Sequence, residues 1–102
     1  MSTCTIHGTV TSQGGTTGKG FTVQKVKNKM GNKTGAYQIT FNTPFSEIPT
    51  IVATQTGFGG EEIPADVVDI PSLEKDSATV ITGDANNQFS DRQFSFIAIG
   101  QL

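Results

Sequence analysis

Residues that could bind a hydroxyl-rich ligand are concentrated near the end of the chain. Hydrogen-bond donors and acceptors follow one another closely there, at Asp84, Asn86, Asn87 and Arg92. Sugar hydroxyls need such paired donors and acceptors, and an aromatic side chain such as Phe58 or Phe89 would cover the apolar side of a sugar ring. Ordinary turn chemistry is the alternative explanation, because Asn and Asp favour turns for local reasons.

Two other polar stretches add candidates. Asn28 begins a polar stretch with glycines at positions 31 and 35, and Glu62 follows Glu61 in a further loop. Solvated loop charges are the alternative interpretation of the adjacent glutamates, and of the lysines around Asn28, since such side chains usually remain in water. The predicted ligand-binding set is therefore Asp84, Asn86, Asn87, Arg92, Asn28 and Glu62.

Catalysis and metal binding are poorly supported by the residue types. His7 is the only histidine and Cys4 the only cysteine, which rules out an intrachain disulfide and leaves too few ligands for zinc. No nucleophile stands in a Ser-His-Asp context. The run from Asp84 to Asn87 lacks the spacing and the closing Glu of an EF-hand. We expect no enzyme activity, no cofactor and no metal.

The charge balance and the hydropathy narrow the range of partners. The 102 residues carry a net charge of −2, and the pI is near 5.1. Such a chain has no basic field to attract nucleic acid. No apolar run approaches the ~20 residues that span a bilayer, and we find no classical signal peptide. We expect a soluble protein without membrane insertion, extracellular or virion-associated if it belongs to a fibre and otherwise cytoplasmic.

Short alternating segments indicate an all-β fold. Tyr37, Ile39 and Phe41 alternate with polar residues, as in a strand with one buried face. Similar runs recur at intervals of roughly ten residues between turn signals, a pattern typical of antiparallel sandwiches. We predict a six- to seven-stranded antiparallel β-sandwich over residues 21–102. Residues 1–20 form an N-terminal strand and a glycine-rich leader, with residues 12–20 as a flexible connection.

The last strand is apolar on both faces. Phe94, Phe96 and Ala98 point to one side and Ile97 and Ile99 to the other, because side chains alternate across a sheet. A small sandwich buries only one face of each sheet. The second apolar face needs another cover, and a neighbouring subunit is the simplest one. We therefore predict a homotrimer.

The order of these segments resembles the H-type lectin domain family, which includes many bacterial and phage-borne members. The similarity covers roughly residues 21–101 and depends on the collinear order of five segments, at residues 37–41 (YQITF), 43–45 (TPF), 48–53 (IPTIVA), 67–70 (VVDI) and 94–100 (FSFIAIG). The resemblance implies a six-stranded sandwich that assembles as a parallel homotrimer, with sugar sites near the subunit boundaries.

The sugar-binding residues of that family do not carry over. The family uses an Asp before the Tyr37-like strand, an Arg at the start of the fifth strand and a Trp-His pair after the sixth. This chain has Asn28, Glu62 and Asn86 in the corresponding regions and contains no Trp. The expected function is multivalent, weak binding of surface glycans by a trimeric, lectin-like module. The alternative is a structural tip or trimerisation domain of a phage tail fibre or bacterial surface fibre, without a sugar site.

Overall fold

The computed structural model describes residues 2–57, 59–60 and 65–102. These residues form strands and loops and contain no helix. No helix long and apolar enough to cross a membrane occurs in the described ranges. The eight strands are β1 (Thr3–Val10), β2 (Thr16–Gly18), β3 (Phe21–Lys25), β4 (Ala36–Phe41), β5 (Thr50–Gln55), β6 (Val67–Leu73), β7 (Ser77–Gly83) and β8 (Phe94–Gln101).

The strands form two four-stranded antiparallel sheets. The first sheet has the order β2-β1-β8-β5, and the second has the order β3-β4-β7-β6. The predicted all-β class is confirmed, and the arrangement is that of a β-sandwich. The described residues contain eight strands, and one of them, β2, is an extra strand within the predicted flexible connection.

Glycine makes that extra strand possible. A Cβ on Gly18 would lie 2.6 Å from the carbonyl oxygen of His7, and the φ angle of Gly18 is 129°. Any other residue would clash with β1 and strain the backbone. A segment that resembles a flexible connection in the sequence thus pairs with β1 as a short edge strand.

The N-terminal strand lies inside the first sheet. β1 pairs with β8 along all of its length, from Thr3 opposite Gln101 to Val10 opposite Phe94. Val10 is fully buried in the common core. The division of the chain into residues 1–20 and residues 21–102 remains a prediction. In this structure, residues 3–10 pair with residues 94–101 in a continuous hydrogen-bonded ladder, which joins the two parts in one sheet.

The core lies between the two sheets and is rich in aromatic side chains. The rings of Phe21 and Phe96 meet edge to face with their centroids 4.9 Å apart, and those of Tyr37 and Phe94 do so at 5.3 Å. Each pair joins a residue of the second sheet to one of the first, so these contacts hold the sheets face to face.

The other face of β8 remains exposed in the single chain. Phe94, Phe96 and Ala98 are buried, whereas Ile97 and Ile99 are 44% and 46% exposed. The register places Val52 of β5, which is 61% exposed, beside Ile97. The predicted two-sided strand is thus confirmed. The subunit expected to cover its outer face remains a prediction.

Candidate functional site

The loop after β7 is organised by the side chain of Asp84. Its Oδ1 accepts hydrogen bonds from the backbone N–H groups of Asn86 at 2.8 Å and of Gln88 at 3.2 Å. The Asp84 N–H in turn donates to the carbonyl oxygen of Gln88 at 3.0 Å. One carboxylate oxygen of Asp84 is therefore used to close the turn, as an Asx-type loop requires.

The two asparagines of this loop point to different surroundings. Asn87 has a φ angle of 61°, a left-handed conformation that asparagine tolerates better than most residues. Asn87 lines a hollow on the outer face of the second sheet, whereas Asn86 is exposed and does not line that hollow. Neither side-chain amide forms a hydrogen bond with a described residue, so both are free to bind a ligand.

Asn28 organises the loop between β3 and β4. Its Nδ2 donates to Asn32 Oδ1 at 3.0 Å and to the carbonyl oxygen of Thr34 at 2.8 Å, while its Oδ1 accepts from Met30 N at 2.8 Å. The residue is only 8% exposed. Its amide holds the loop together, and the neighbouring Lys29 is the residue of this loop that lines the hollow.

Arg92 is used inside the protein. Its Nη1 donates to Asp66 Oδ2 and to Gln55 Oε1, both at 3.2 Å, and its Nε donates to Ser90 Oγ at 3.2 Å. The side chains of Arg92 and Asp66 are 11% and 6% exposed. This ion pair joins the segment before β8 to the start of β6. Such a guanidinium stabilises the fold and leaves little surface for a ligand.

A second internal network surrounds Asp91. Its Oδ2 lies 2.6 Å from Lys25 Nζ, and its Oδ1 accepts from Gly35 N at 2.7 Å. Burial alone would raise the pKa of Asp91, but the hydrogen bonds from Lys25 and Gly35 and the charge of Lys25 outweigh it, so the pKa lies below its ordinary value. Burial and then the charge of Asp91 raise the pKa of Tyr37 to about 12. The Tyr37 hydroxyl donates to the Ser12 carbonyl oxygen at 2.8 Å.

The hollow beside Asn87 combines apolar and polar groups. It has a volume of about 280 Å³. Strand register places Asp69 opposite Ile81 and Val67 opposite Gly83, so the side chains of Val67, Asp69 and Ile81 share the outer face of the second sheet. The apolar lining includes Val67, Ile81 and Phe89, and the polar lining includes Lys29, Asp69, Asn87 and Gln88.

The predicted ligand-binding set is thus divided by the structure. Asn87 lines the hollow, Asn86 lies outside it, and Asn28, Asp84 and Arg92 make internal bonds. Glu62 and Phe58 lie outside the described residues. The predicted set lacks Lys29 and Asp69. Alternation along β6 places Asp69 on the outer face, but only the folded chain brings Asp69 and Lys29 to the same hollow.

Within the described ranges, no three His, Cys, Asp or Glu side chains come together in a group that could hold a metal ion. The carboxylate of Asp91, which follows the polar run from Asp84 to Asn87, forms a salt bridge with Lys25. The chain matches no protein-family model, no curated protein and no solved structure.

Proposed function

We propose that this protein is a carbohydrate-binding, lectin-like recognition module that works as a homotrimer, with the hollow beside Asn87 as its sugar site. The observation that carries this proposal is the combination of an apolar lining with free polar side chains in one hollow. Sugars present apolar ring faces together with hydroxyls, and they need both kinds of contact. The resemblance of residues 21–101 to H-type lectin domains supports the same class of ligand.

Assembly into a homotrimer would raise the avidity of this shallow site. A single open hollow binds a sugar weakly, but several copies on one particle bind a glycan-covered surface through high effective concentration. The exposed side chains of Val52, Ile97 and Ile99 support assembly, because a neighbouring copy would remove them from water. Surface glycans and further copies of the chain are the proposed partners, and nucleic acid and membranes are not.

The proposal includes no catalysis. The carboxylates of Asp66 and Asp91 are paired with basic side chains, and His7 lies exposed on the outer face of the first sheet. A general base would have to lie near a nucleophile or a second acid. Binding alone suits the groups that remain free, and it requires no metal or cofactor.

A structural role is the second candidate. The row of exposed apolar side chains on the first sheet favours a tip or trimerisation domain of a phage tail fibre or bacterial surface fibre. This role requires the subunit interface and does not require the hollow. It would place the protein on a virion or outside a cell, as would a lectin carried by a fibre. A lectin without a fibre would be cytoplasmic.

A glycan array separates the two candidates. The wild-type protein is compared with an Asn87→Gly variant, which removes the side-chain amide and keeps the left-handed backbone accessible. The matched control is Asn86→Ala, an exposed neighbour outside the hollow. We expect saturable glycan binding that falls about tenfold in Asn87→Gly, the range for lost hydrogen bonds to a ligand. We expect the control to bind normally.

Two other outcomes would contradict the expected glycan binding in the hollow. A wild-type protein that binds no glycan would favour the structural role. Binding that survives in Asn87→Gly but is lost in Asn86→Ala would move the site away from the hollow, to the solvent side of the loop. Unfolding curves for each variant show whether a loss of binding reflects a loss of structure.

A further inference from the structure

Two opposite charges face the hollow without an ion pair. Lys29 and Asp69 both line it, and neither forms a salt bridge with a described residue. Elsewhere in the described ranges, Lys25 pairs with Asp91 and Arg92 with Asp66. The internal charges are thus neutralised, whereas both charged side chains of the hollow keep their bonding capacity for a ligand.

The two charges approach the hollow from opposite sides. Lys29 belongs to the loop that joins β3 to β4, while Asp69 lies on β6 at the far edge of the sheet order β3-β4-β7-β6. Ile81 lies on β7, between β4 and β6, and is paired with Asp69. A ligand over Ile81 would therefore meet a cation on one side and a carboxylate on the other.

The segment that supplies Lys29 is basic throughout. Lys27 and Lys33 lie in the same loop, and no Asp or Glu occurs in the sequence before Glu47. The internal bonds of Asn28 hold the backbone next to Lys29 in place. Lys29 thus supplies a positive charge at one side of the hollow, which attracts an anionic group on the ligand.

From these observations we propose that the hollow binds a carboxylated sugar, such as a uronic acid or a sialic acid. The sugar carboxylate pairs with Lys29, the hydroxyls at the other end donate to Asp69, and the Asn87 amide contacts the hydroxyls between them. The apolar ring face lies against Ile81 and Phe89. This inference rests on the proposed carbohydrate-binding function, and it names the class of sugar.

Matched sugars test the carboxylate directly. Isothermal titration compares the methyl glycoside of galacturonic acid, with its free carboxylate, with the methyl glycoside of galactose. The methyl glycosides of glucuronic acid and glucose are compared in the same way, because each pair differs only at carbon 6. The methyl glycoside of N-acetylneuraminic acid, also with a free carboxylate, distinguishes sialic acids from uronic acids as the source of the carboxylate. We expect at least one carboxylated sugar to bind about tenfold more tightly than the neutral sugars, as a charge-assisted hydrogen bond gives, with a smaller advantage at high salt.

A lysine pair supplies the matched control. Lys29→Met removes the charge and keeps a long side chain, and Lys33→Met does the same at an exposed position that does not line the hollow. We expect Lys29→Met to abolish the preference for the carboxylated sugar over its neutral counterpart. The preference should persist in Lys33→Met.

The outcomes separate this inference from the function on which it rests. Neutral sugars that bind as tightly as their carboxylated counterparts would overturn the carboxylate inference and leave a lectin. A carboxylate preference that survives in Lys29→Met would overturn the assigned role of Lys29. Absence of binding for every sugar, carboxylated and neutral, would overturn both proposals.

Discussion

Replacing Arg92 with alanine should destabilise the fold strongly. The Arg92 and Asp66 side chains are 11% and 6% exposed, so solvent screens their interaction little. Removing one partner of such a buried pair costs roughly 3–5 kcal/mol, because the other charge remains buried. The hydrogen bonds to Gln55 and Ser90 are lost as well. For a domain of this size, we expect a fall in melting temperature of roughly 12–20 °C.

Thermal and urea unfolding measure this change, with Asn86→Ala as the control. The Asn86 side chain is exposed and bonds to no described residue, so its removal should change the free energy of unfolding by no more than about 0.5 kcal/mol. The double variant Arg92→Met/Asp66→Asn should recover part of the loss, since neither charge remains. An Arg92→Ala protein that unfolds like the wild type but no longer binds glycan would refute this reasoning and assign Arg92 to the ligand.

Three further predictions concern pH, the N-terminal strand and assembly. The pKa of Asp91 is lower in the folded than in the unfolded protein. Its pairing with Lys25 therefore stabilises the fold above about pH 4, and this stabilisation is lost as the pH falls through the pKa of the folded state. In urea unfolding, Asp91→Asn should lower the free energy of unfolding at pH 7, and this loss should become smaller below about pH 4. An equal loss at every pH would contradict the pairing of Asp91 with Lys25. Removal of residues 1–20 should give insoluble protein, because β8 loses β1 and keeps only β5 as a neighbouring strand. A soluble, folded core by circular dichroism would show instead that residues 21–102 fold without the N-terminal leader. Light scattering should find a trimer for the wild type and a folded monomer for Ile97→Asp, since Ile97 is exposed in the single chain; a monomeric wild type would end the proposal of a trimer.

Much of the fold can be predicted from the alternation of apolar residues. The one-sided pattern of Tyr37, Ile39 and Phe41 identifies the buried face of β4. The two-sided pattern of residues 94–99 identifies a strand with one buried face and a second apolar face that is exposed in the single chain. The strand β2 could not be predicted in this way. It consists of small polar residues and glycine, and it forms because Gly18 can approach β1 closely.

The candidate site was harder to predict, for a chemical reason. The oxygen and amide groups that bind sugar hydroxyls are also those that close turns, so Asp84 and Asn28 resemble ligand-binding residues in the sequence. Both make internal bonds in the structure, and each lies next to a residue that lines the hollow. The pairing of β6 with β7 places Asp69 opposite Ile81, in the hollow that Lys29 and Asn87 also line. No local pattern contains that information.

The most direct test of a sugar site in the hollow is an NMR titration of the isotope-labelled protein with the sugars named above. We predict saturable shifts of the backbone amide signals of Lys29, Asp69, Asn87 and Gln88, and unchanged signals along β1. Shifts confined to other surfaces, or unchanged spectra at millimolar concentrations of every sugar, would contradict the account.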